Sequence, residues 1–460
     1  MRLYSENDNY KLYHGNMLDM LEVIEPNSID SIVTDPPYEL NFMGKGWDNS
    51  GIAFQKETWR NCYEVLKPGG YLLAFGGSRT FHRIACAIED AGFEIRDTIM
   101  WIYGSGFPKS LNIGLAVDKK NGVESIDTGE KVSGMSSLGV MHDDNWVSSK
   151  ELTRKVATNK WAGWGSCLKP AFEPIIVARK PFNGSLVDNV LTYGVGGLNI
   201  DECRVPSNPG EYDIRHYTNE DCFQNSKPKE SKFQVKPQPE GRFPANVILT
   251  YDETDYDEVC GGFPISGSGN NGTPYNYAGR EYDNKDTSMF NGDKPQAPSN
   301  YNDNGSASRY FYCAKASKKD RDEGLDAFDE VQVYSLDNTH RFNYKNTSTD
   351  NIGDKILNVS RKNTHPTVKP TELMQYLVRL VTPNGGTVLD PFNGSGSTGK
   401  ATMYENTEKN KGYKYIGIEL TDEYLPISKA RIEFVSAYHH TEDAIKVKDD
   451  NRGVQCETLW

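Results

Sequence analysis

The chain holds eight cysteines in 460 residues, and no two of them form a CxxC pair. Cys62, Cys86, Cys167, Cys203, Cys222, Cys260, Cys313 and Cys456 are scattered, which fits neither a disulfide frame nor a zinc spacing. Cys203 and Cys222 with His216 come nearest to a ligand set, but their spacing fits no standard site, so no metal is expected. No stretch approaches the ~20 apolar residues of a membrane span. The start, Met1-Arg2-Leu3-Tyr4-Ser5-Glu6-Asn7, lacks the apolar core of a signal peptide. A cytoplasmic protein without a membrane partner is the expectation. Positive charge is also short: 51 Lys and Arg face 64 Asp and Glu, for a net charge of −13. That argues weakly against a nucleic-acid binder, because phosphate contacts depend on local patches rather than on the total. Three local groupings exist: Lys150, Arg154, Lys155 and Lys160; Lys315, Lys318, Lys319 and Arg321; and Arg361, Lys362 and Lys369. The plain reading of each is a solvated face. There is no repeat at a fixed period, and no helix-turn-helix or zinc-finger pattern stands out in residues 183–360.

What is present is an alternation of strand and helix patterns in two separated blocks. At this length the core needs no disulfide or metal staple. In residues 1–182 strands are expected at Ser28–Val33, Tyr71–Phe75, Ile95–Tyr103 and Pro174–Ala178. Helices are expected at Glu57–Leu66, ended by Lys67-Pro68-Gly69-Gly70, and at Phe81–Ala91. Such alternation argues for a parallel sheet covered on both faces, an α/β fold. Residues 183–360 change character. Gly, Asn, Ser, Asp and Tyr dominate, above all from Ser266 to Ser308, and such a stretch forms a core poorly. It is read as an inserted region, partly loop-rich or flexible. Asn246–Leu249 and Tyr310–Cys313 are apolar enough to anchor it to the sheet. The α/β pattern resumes over 361–435, with a helix at Glu372–Val381, strands at Thr387–Asp390 and Lys414–Glu419, and helices from Gly399 and Asp422. Residues 436–460 read as a polar tail.

Gly394, Gly396 and Gly399 fit GxGxxG between a strand and a helix, and Glu419 closes the next strand. The glycines allow a tight turn and close approach of a ligand, while a carboxylate at the following strand end suits a pair of ribose hydroxyls. S-adenosylmethionine and a nicotinamide dinucleotide share that ribose. Asp390, just before the glycines, separates them: it would attract the ammonium of the first and repel the pyrophosphate of the second. Gly394, Gly399 and Lys400 also approximate a phosphate loop, but Ala401 stands where a Ser or Thr hydroxyl should bind magnesium.

Asp35-Pro36-Pro37-Tyr38 follows the apolar run Ser31-Ile32-Val33-Thr34. Two prolines stiffen the chain and withdraw their N–H groups. An exocyclic amino group has two hydrogens to place, one on the Asp35 carboxylate and one on the Pro36 carbonyl. Tyr38 offers a flat face for an extruded base, worth ~1–3 kcal/mol in stacking. Direct transfer of a methyl group to the amino nitrogen would then rest on positioning and local electrostatics. Methylation at cytosine C5 would need a cysteine nucleophile after a proline, and the sequence has no Pro-Cys pair.

On these residues the chain resembles the β-class DNA amino-methyltransferases of bacteria and phages, in which the amino-base motif precedes the cofactor motif. Supporting runs are Leu66-Lys67-Pro68-Gly69-Gly70, Leu168-Lys169-Pro170-Ala171-Phe172-Glu173-Pro174-Ile175, Thr364-His365-Pro366-Thr367-Val368-Lys369-Pro370 and Ile416-Gly417-Ile418-Glu419. Arg242-Phe243-Pro244-Ala245-Asn246-Val247 and Phe311-Tyr312-Cys313-Ala314-Lys315-Ala316-Ser317 add to it. The resemblance implies a doubly wound, circularly permuted Rossmann-like sheet of seven strands, with a target-recognition region inserted between the catalytic half and the cofactor half. It places Asp35, Pro36, Pro37 and Tyr38 at the target base. Asp390, Phe392, Gly394, Gly396 and Glu419 would line the S-adenosylmethionine pocket, with Lys369 and Thr371 near its methionine end. Gly15-Asn16 stands where the family usually has Gly-Asp, so Asn16 would meet the cofactor adenine. Double-stranded DNA is the implied partner, with a cognate restriction endonuclease where the enzyme serves a restriction–modification pair, and either a monomer or a homodimer is compatible. Asp at the head of the base motif leans towards adenine N6, cytosine N4 being the alternative. A non-catalytic DNA- or cofactor-binding protein is the reading of another class.

Overall fold

A computed structural model describes residues 1–40, 46–103, 110–131, 140–142, 145–147, 153–205, 241–250, 265–267, 304–306, 311–313, 318–334 and 358–438. Most of the Ser266–Ser308 stretch, His216, Cys222, Lys150, Lys315 and the chain beyond Tyr438 lie outside them.

The main sheet is built from β1 (Arg2–Glu6), β2 (Tyr10–His14), β3 (Ile29–Thr34), β4 (Leu66–Phe75), β5 (Glu94–Tyr103), β6 (Phe172–Arg179), β7 (Val247–Thr250), β8 (Tyr312–Cys313), β9 (Thr387–Asp390) and β10 (Lys414–Glu419). Their order is β1-β2-β10-β9-β3-β4-β6-β5-β7-β8. From β2 to β4 every pair is parallel. β6 runs antiparallel between β4 and β5. The seven strands expected from the resemblance are the stretch from β2 to β5. β1 adds an antiparallel edge at one end, and β7 and β8 add parallel strands at the other. The sequence pattern missed β1 and β2 because each is five residues long and neither alternates strictly nor forms a continuous apolar run. The two apolar pieces of residues 183–360 do dock on the sheet: Trp101 Nε1 donates to Thr250 Oγ1 at 2.9 Å, and Tyr312 stacks on Tyr376 at 4.1 Å.

The period of two sorts the strand side chains into two cores. Leu12, Val33, Leu73 and Phe75 face one layer, with Leu373 and Leu377 of the helix Thr371–Val381 and Ile432 of the helix Leu425–Tyr438. Their neighbours Tyr13, Ile32, Leu72 and Ala74 face the other, with Trp59 of the helix Lys56–Val65 and Ile84 and Ile88 of the helix Phe81–Asp90. In chain order these helices are α1 (Lys56–Val65), α2 (Phe81–Asp90), α3 (Ile113–Asn121), α4 (Leu186–Tyr193), α5 (Lys318–Asp322), α6 (Thr371–Val381), α7 (Ser397–Lys409) and α8 (Leu425–Tyr438). Burying each large apolar side chain is worth ~1.5–3 kcal/mol, so the double layer is the main source of stability. Lys67-Pro68-Gly69-Gly70, expected as a turn, runs into β4 with a shift of register against β3. Gly69 takes a φ of +83° there, and its amide donates to Lys180 O at 2.9 Å.

α6 and α7 are joined by a buried fork: Arg379 donates to Glu405 at 2.6 and 2.9 Å. α5, a short element from between the two blocks, packs behind the turn that opens α7, where its Asp320 meets Lys400 at 2.6 Å. Among the described residues no helix is long and apolar enough to cross a membrane.

Candidate active site

β3 and β9 are adjacent and parallel, with Leu389 opposite Ile32, so both of their carboxyl ends open on one edge of the sheet. The chain leaves β9 through α7 towards β10 and leaves β3 through α1 towards β4. That reversal makes a crevice at the strand ends, where open α/β sheets bind ligands. A cavity of about 1930 Å³ occupies it. Asp35, Pro36, Pro37 and Tyr38 line it from β3, and Asp390, Phe392 and Gly394 line it from β9. Of the other predicted residues, Glu419, Asn16 and Lys369 lie at its wall and Gly396 and Thr371 do not. Two runs 355 residues apart in sequence are thus neighbours, and Thr34 Oγ1 ties them by donating to Asp390 Oδ1 at 2.7 Å.

The glycines differ in function. Gly394 has a φ of +53°, and a Cβ there would sit 2.9 Å from the His365 ring. Gly396, with a φ of +75°, caps α7 and touches Ser428, and it is not part of the cavity wall. A Cβ on Gly399 would lie 2.6 Å from both Tyr415 and Ile432, so this glycine permits close packing of α7 on β10 and α8. Glu419 holds the turn directly: its Oε2 accepts from the Gly394 amide at 2.7 Å and its Oε1 from the Thr421 amide at 2.8 Å. Burial raises its pKa against these hydrogen bonds. Burial likewise raises Asp390, to about 6, although Thr398 and Thr34 hydroxyls and the Phe392 amide donate to it.

Lys400 does not face the cavity. Its side chain is fully buried, and its Nζ bonds Asp320 and Glu323 at 2.6 Å each. A phosphate loop needs that lysine on the ligand side, so the partial GxxxxGK match has a structural origin.

At the other end of the cavity is an ionic cluster. Lys369 Nζ donates to Asp35 Oδ2 at 2.6 Å and lies 3.4 Å from Glu173 Oε2. It also sits near the rings of Phe75, Tyr38 and Trp101, at 4.9, 5.2 and 6.0 Å. Burial alone would favour the neutral amine, but Asp35 and Glu173 outweigh it and raise the Lys369 pKa. Tyr38 donates to Glu173 Oε2 at 2.6 Å and Tyr103 to Glu173 Oε1 at 3.3 Å. One carboxylate atom of the cluster, Asp35 Oδ1, is buried without a hydrogen-bond partner. A buried carboxylate oxygen left that way is costly, which marks it as a place for an incoming donor.

Gly396 and Thr371, expected to bind the cofactor, are off the cavity wall, and Lys369 and Asn16 are at the wall but carry bonds the sequence did not foresee. Lys369, expected near the methionine end of a cofactor, bonds Asp35 and Glu173 at the base-motif end. Thr371 is off the cavity wall and gives its hydroxyl and amide to Asp320, at 2.5 and 2.7 Å. Asn16 is at the wall, but its Oδ1 already accepts from the Leu18 amide at 3.0 Å, capping a turn of 3-10 helix. A second lone pair remains on that oxygen for a ligand amino group.

Glu173 and His365 were not singled out from sequence, although both lie in runs quoted above. An acid inside the apolar strand Phe172–Arg179 was the available signal for Glu173. His365 is partly buried, and desolvation of its ring lowers its pKa to about 4, so the ring is neutral. Nδ1 lies 2.7 Å from the Thr367 carbonyl, which can only accept, so Nδ1 carries the proton and Nε2 faces Gly394. Asp320 had no sequence signal at all. Among the described residues no group of three His, Cys, Asp or Glu is placed to hold a metal.

The family model described as DNA methylase matches residues 29–430. The Type II methyltransferase M2.DpnII of Streptococcus pneumoniae is 41% identical over 225 residues, covering 42% of this chain and 82% of that protein. The Type II methyltransferase M.HindIII of Haemophilus influenzae is 22% identical over 230 residues, covering 41% of this chain and 64% of that protein. Among solved structures, the cytosine-N4-specific PvuII DNA methyltransferase aligns over 94% of this chain and 92% of its own, at 14% identity and a TM-score of 0.40.

Proposed function

The chain belongs to the DNA methylase family of N6 and N4 amino-methyltransferases, and from that premise we propose that it methylates the N6 amino group of an adenine extruded from double-stranded DNA. The observation that supports this reading most is the unpartnered Asp35 Oδ1 at the wall of a cavity shared by both motifs. S-adenosylmethionine fits the residues present. Gly394 offers a backbone that a side chain would block, Asp390 suits its ammonium, and Glu419 and Asn16 suit its ribose and adenine. When bound, it supplies an electrophilic methyl group on a sulfonium.

The protein's part is placement. Asp35 Oδ1 accepts one amino hydrogen and the Pro36 carbonyl the other, which turns the nitrogen lone pair out of conjugation with the ring. Lys369 fixes the opposite carboxylate oxygen, so Asp35 is already oriented before the base arrives. Glu173 holds the Tyr38 hydroxyl and thereby the ring on which the base stacks. The Asp35 charge offsets the positive charge that develops on the amino nitrogen. Asp, rather than Ser, at the head of Asp35-Pro36-Pro37-Tyr38 favours adenine over cytosine. Residues 183–360 are proposed to read the target sequence. The purified protein, incubated with S-adenosylmethionine and unmethylated plasmid, is expected to yield N6-methyladenine on nucleoside mass spectrometry. N4-methylcytosine instead would keep the site and reverse the base, and no methylated nucleoside would refute the proposal.

Asp390 gives the cofactor step a pH dependence. Its pKa is near 6, so the carboxyl becomes neutral as pH falls through that value and its pull on an ammonium is lost. Affinity for S-adenosylmethionine is expected to weaken below pH 6, by up to about tenfold per pH unit for one linked proton. Asp390→Asn should bind weakly with a flat profile in calorimetric titrations at a series of pH values. An equally steep decline in the variant would assign the proton elsewhere.

A further inference from the structure

The segment between β5 and β6 leaves the sheet at the cavity mouth and returns to it. Ser110, Leu111, Asn112, Lys119, Leu168 and Lys169 are part of the cavity wall. Two stretches of this segment are tied into a neck. The Ser110 hydroxyl accepts from the Ser166 and Cys167 amides at 2.9 and 3.2 Å, and Ser166 Oγ accepts from the Leu111 amide at 2.8 Å. The Ile113 amide donates to Trp164 O at 2.9 Å, and Asn112 bridges Gly165. Beneath the neck, buried Asp118 accepts from the Thr158 amide at 2.7 Å and from Asn159 Nδ2 at 2.6 Å. A Cβ on Gly114 would stand 2.6 Å from that of Ala157, so α3 packs closely on the returning chain.

This built support presents Leu168 with 91% of its surface exposed. Trp164, packed edge-on against Trp161 at 5.2 Å, is 59% exposed beside it. Leu168, Trp164 and Leu111, which is 53% exposed, are carried together on this neck, and grouped apolar exposure of that kind, unlike a lone surface leucine, marks a surface that a partner covers. The partner's charge is readable. Lys119 and Lys120 end α3, Lys160 lies over the Trp161 ring at 5.4 Å, and Lys169 follows Leu168. Among the described residues of the lobe the acids are the buried Asp118 and, after α3, Glu124, Asp127 and Glu130, and all four are absent from the cavity wall. Glu173 follows Leu168 by five positions, so their Cα atoms are at most about 18 Å apart along an extended chain.

We propose that Leu168 is a wedge that enters the DNA stack where the target base has left it, with the lysines of this lobe on the flanking phosphates. The proposal rests on the methyltransferase reading and adds to it a residue outside both motifs and outside 183–360. Apolar wedges of this kind hold unstacked steps open in DNA-deforming proteins. The support carries the side chain at a fixed height over the cavity that is to receive the base. A mobile tip would lose that advantage to ordering entropy.

The test uses the full-length protein and a short duplex containing the methylated site that sequencing of modified DNA identifies. Single-turnover methylation is measured with the target base paired normally and with it opposite an abasic position. On the paired duplex Leu168→Ala is expected to be slower by about tenfold, as expected for loss of one buried leucine. Opposite the abasic position, where extrusion costs little, it should return to within about twofold of wild type. A 2-aminopurine at the target position should brighten less with Leu168→Ala than with wild type, and Leu168→Met should restore both signals. Equal rates of Leu168→Ala and wild type on the paired duplex would overturn the wedge, as would a deficit that the abasic partner fails to repair. If wild type itself transfers no methyl group to any duplex, the methyltransferase reading falls first and the wedge with it.

Discussion

Asp35→Ala is expected to slow methyl transfer about a thousandfold, the scale seen when one preorganised charge-stabilising group is removed from an active site. Cofactor affinity should stay close to that of wild type, because the glycine turn is held by Glu419 and not by Asp35. The fold should also survive. Lys369 would lose its partner at 2.6 Å but retains Glu173, now at 3.4 Å, so no buried charge is left alone. Asp35→Asn is the sharper control. If the amide oxygen turns to Lys369, the amide nitrogen faces the base and meets a donor with a donor. If it turns to the base, Lys369 loses its acceptor. Either arrangement forfeits one contact, so Asp35→Asn should fail nearly as badly despite its unchanged size. Single-turnover rates and equilibrium cofactor binding, measured on the same preparations, separate the two effects. Loss of cofactor affinity in step with rate would move Asp35 from base to cofactor.

Asp320→Ala should cost about 3 kcal/mol of stability, the low end for breaking a buried ion pair, because Glu323 remains to Lys400. Asp320 sits among Lys400 at 2.6 Å, the Thr371 hydroxyl at 2.5 Å and Arg431 at 3.8 Å. Burial works against its charge, and Lys400 and Arg431 outweigh that to lower its pKa. Arg431 in turn donates to the Ser395 carbonyl at 2.8 Å, inside the glycine turn. Removing the Asp320 carboxylate takes from this buried guanidinium the acid that offsets its charge at 3.8 Å, while its bonds to Ser395 and Ser397 remain, so cofactor binding should weaken together with the melting temperature. Because the lowered pKa makes the ionised form the stabilising one, this contribution is present above the unfolded carboxylate range and is lost as pH falls through the folded value. Acid unfolding of wild type should show that loss, and Asp320→Ala should not. A variant that melts earlier but binds the cofactor normally would confine Asp320 to stability.

These two residues also mark what the sequence could and could not tell. Asp35 was legible because its chemistry is local: a strand, an acid, two prolines and an aromatic ring lie in one run, and the apolar run before the acid placed the strand. The glycine turn was legible for the same reason, but the contact of both motifs was not, because it follows from β3 and β9 being parallel neighbours in the sheet. Asp320 was not, because its meaning depends on α5 arriving behind the turn from a region whose sequence pattern gives no register. Lys369 illustrates the intermediate case. Its run was recognised, but a lysine side chain reaches far enough that only the fold decides which of two carboxylate groups it serves. Lys400 matched a phosphate-binding pattern by spacing alone, and helix geometry turns its side chain into the core. Leu168 stood inside a recognised run, yet exposure cannot be read from an apolar letter followed by Lys-Pro.

The most direct measurement is the content of methylated nucleosides in DNA from a methylation-deficient host expressing either wild type or Asp35→Ala. N6-methyladenine with wild type and none with the variant is the expected result. An equal yield from both would contradict a site built on Asp35, and no modified base from either would contradict methyl transfer to DNA itself.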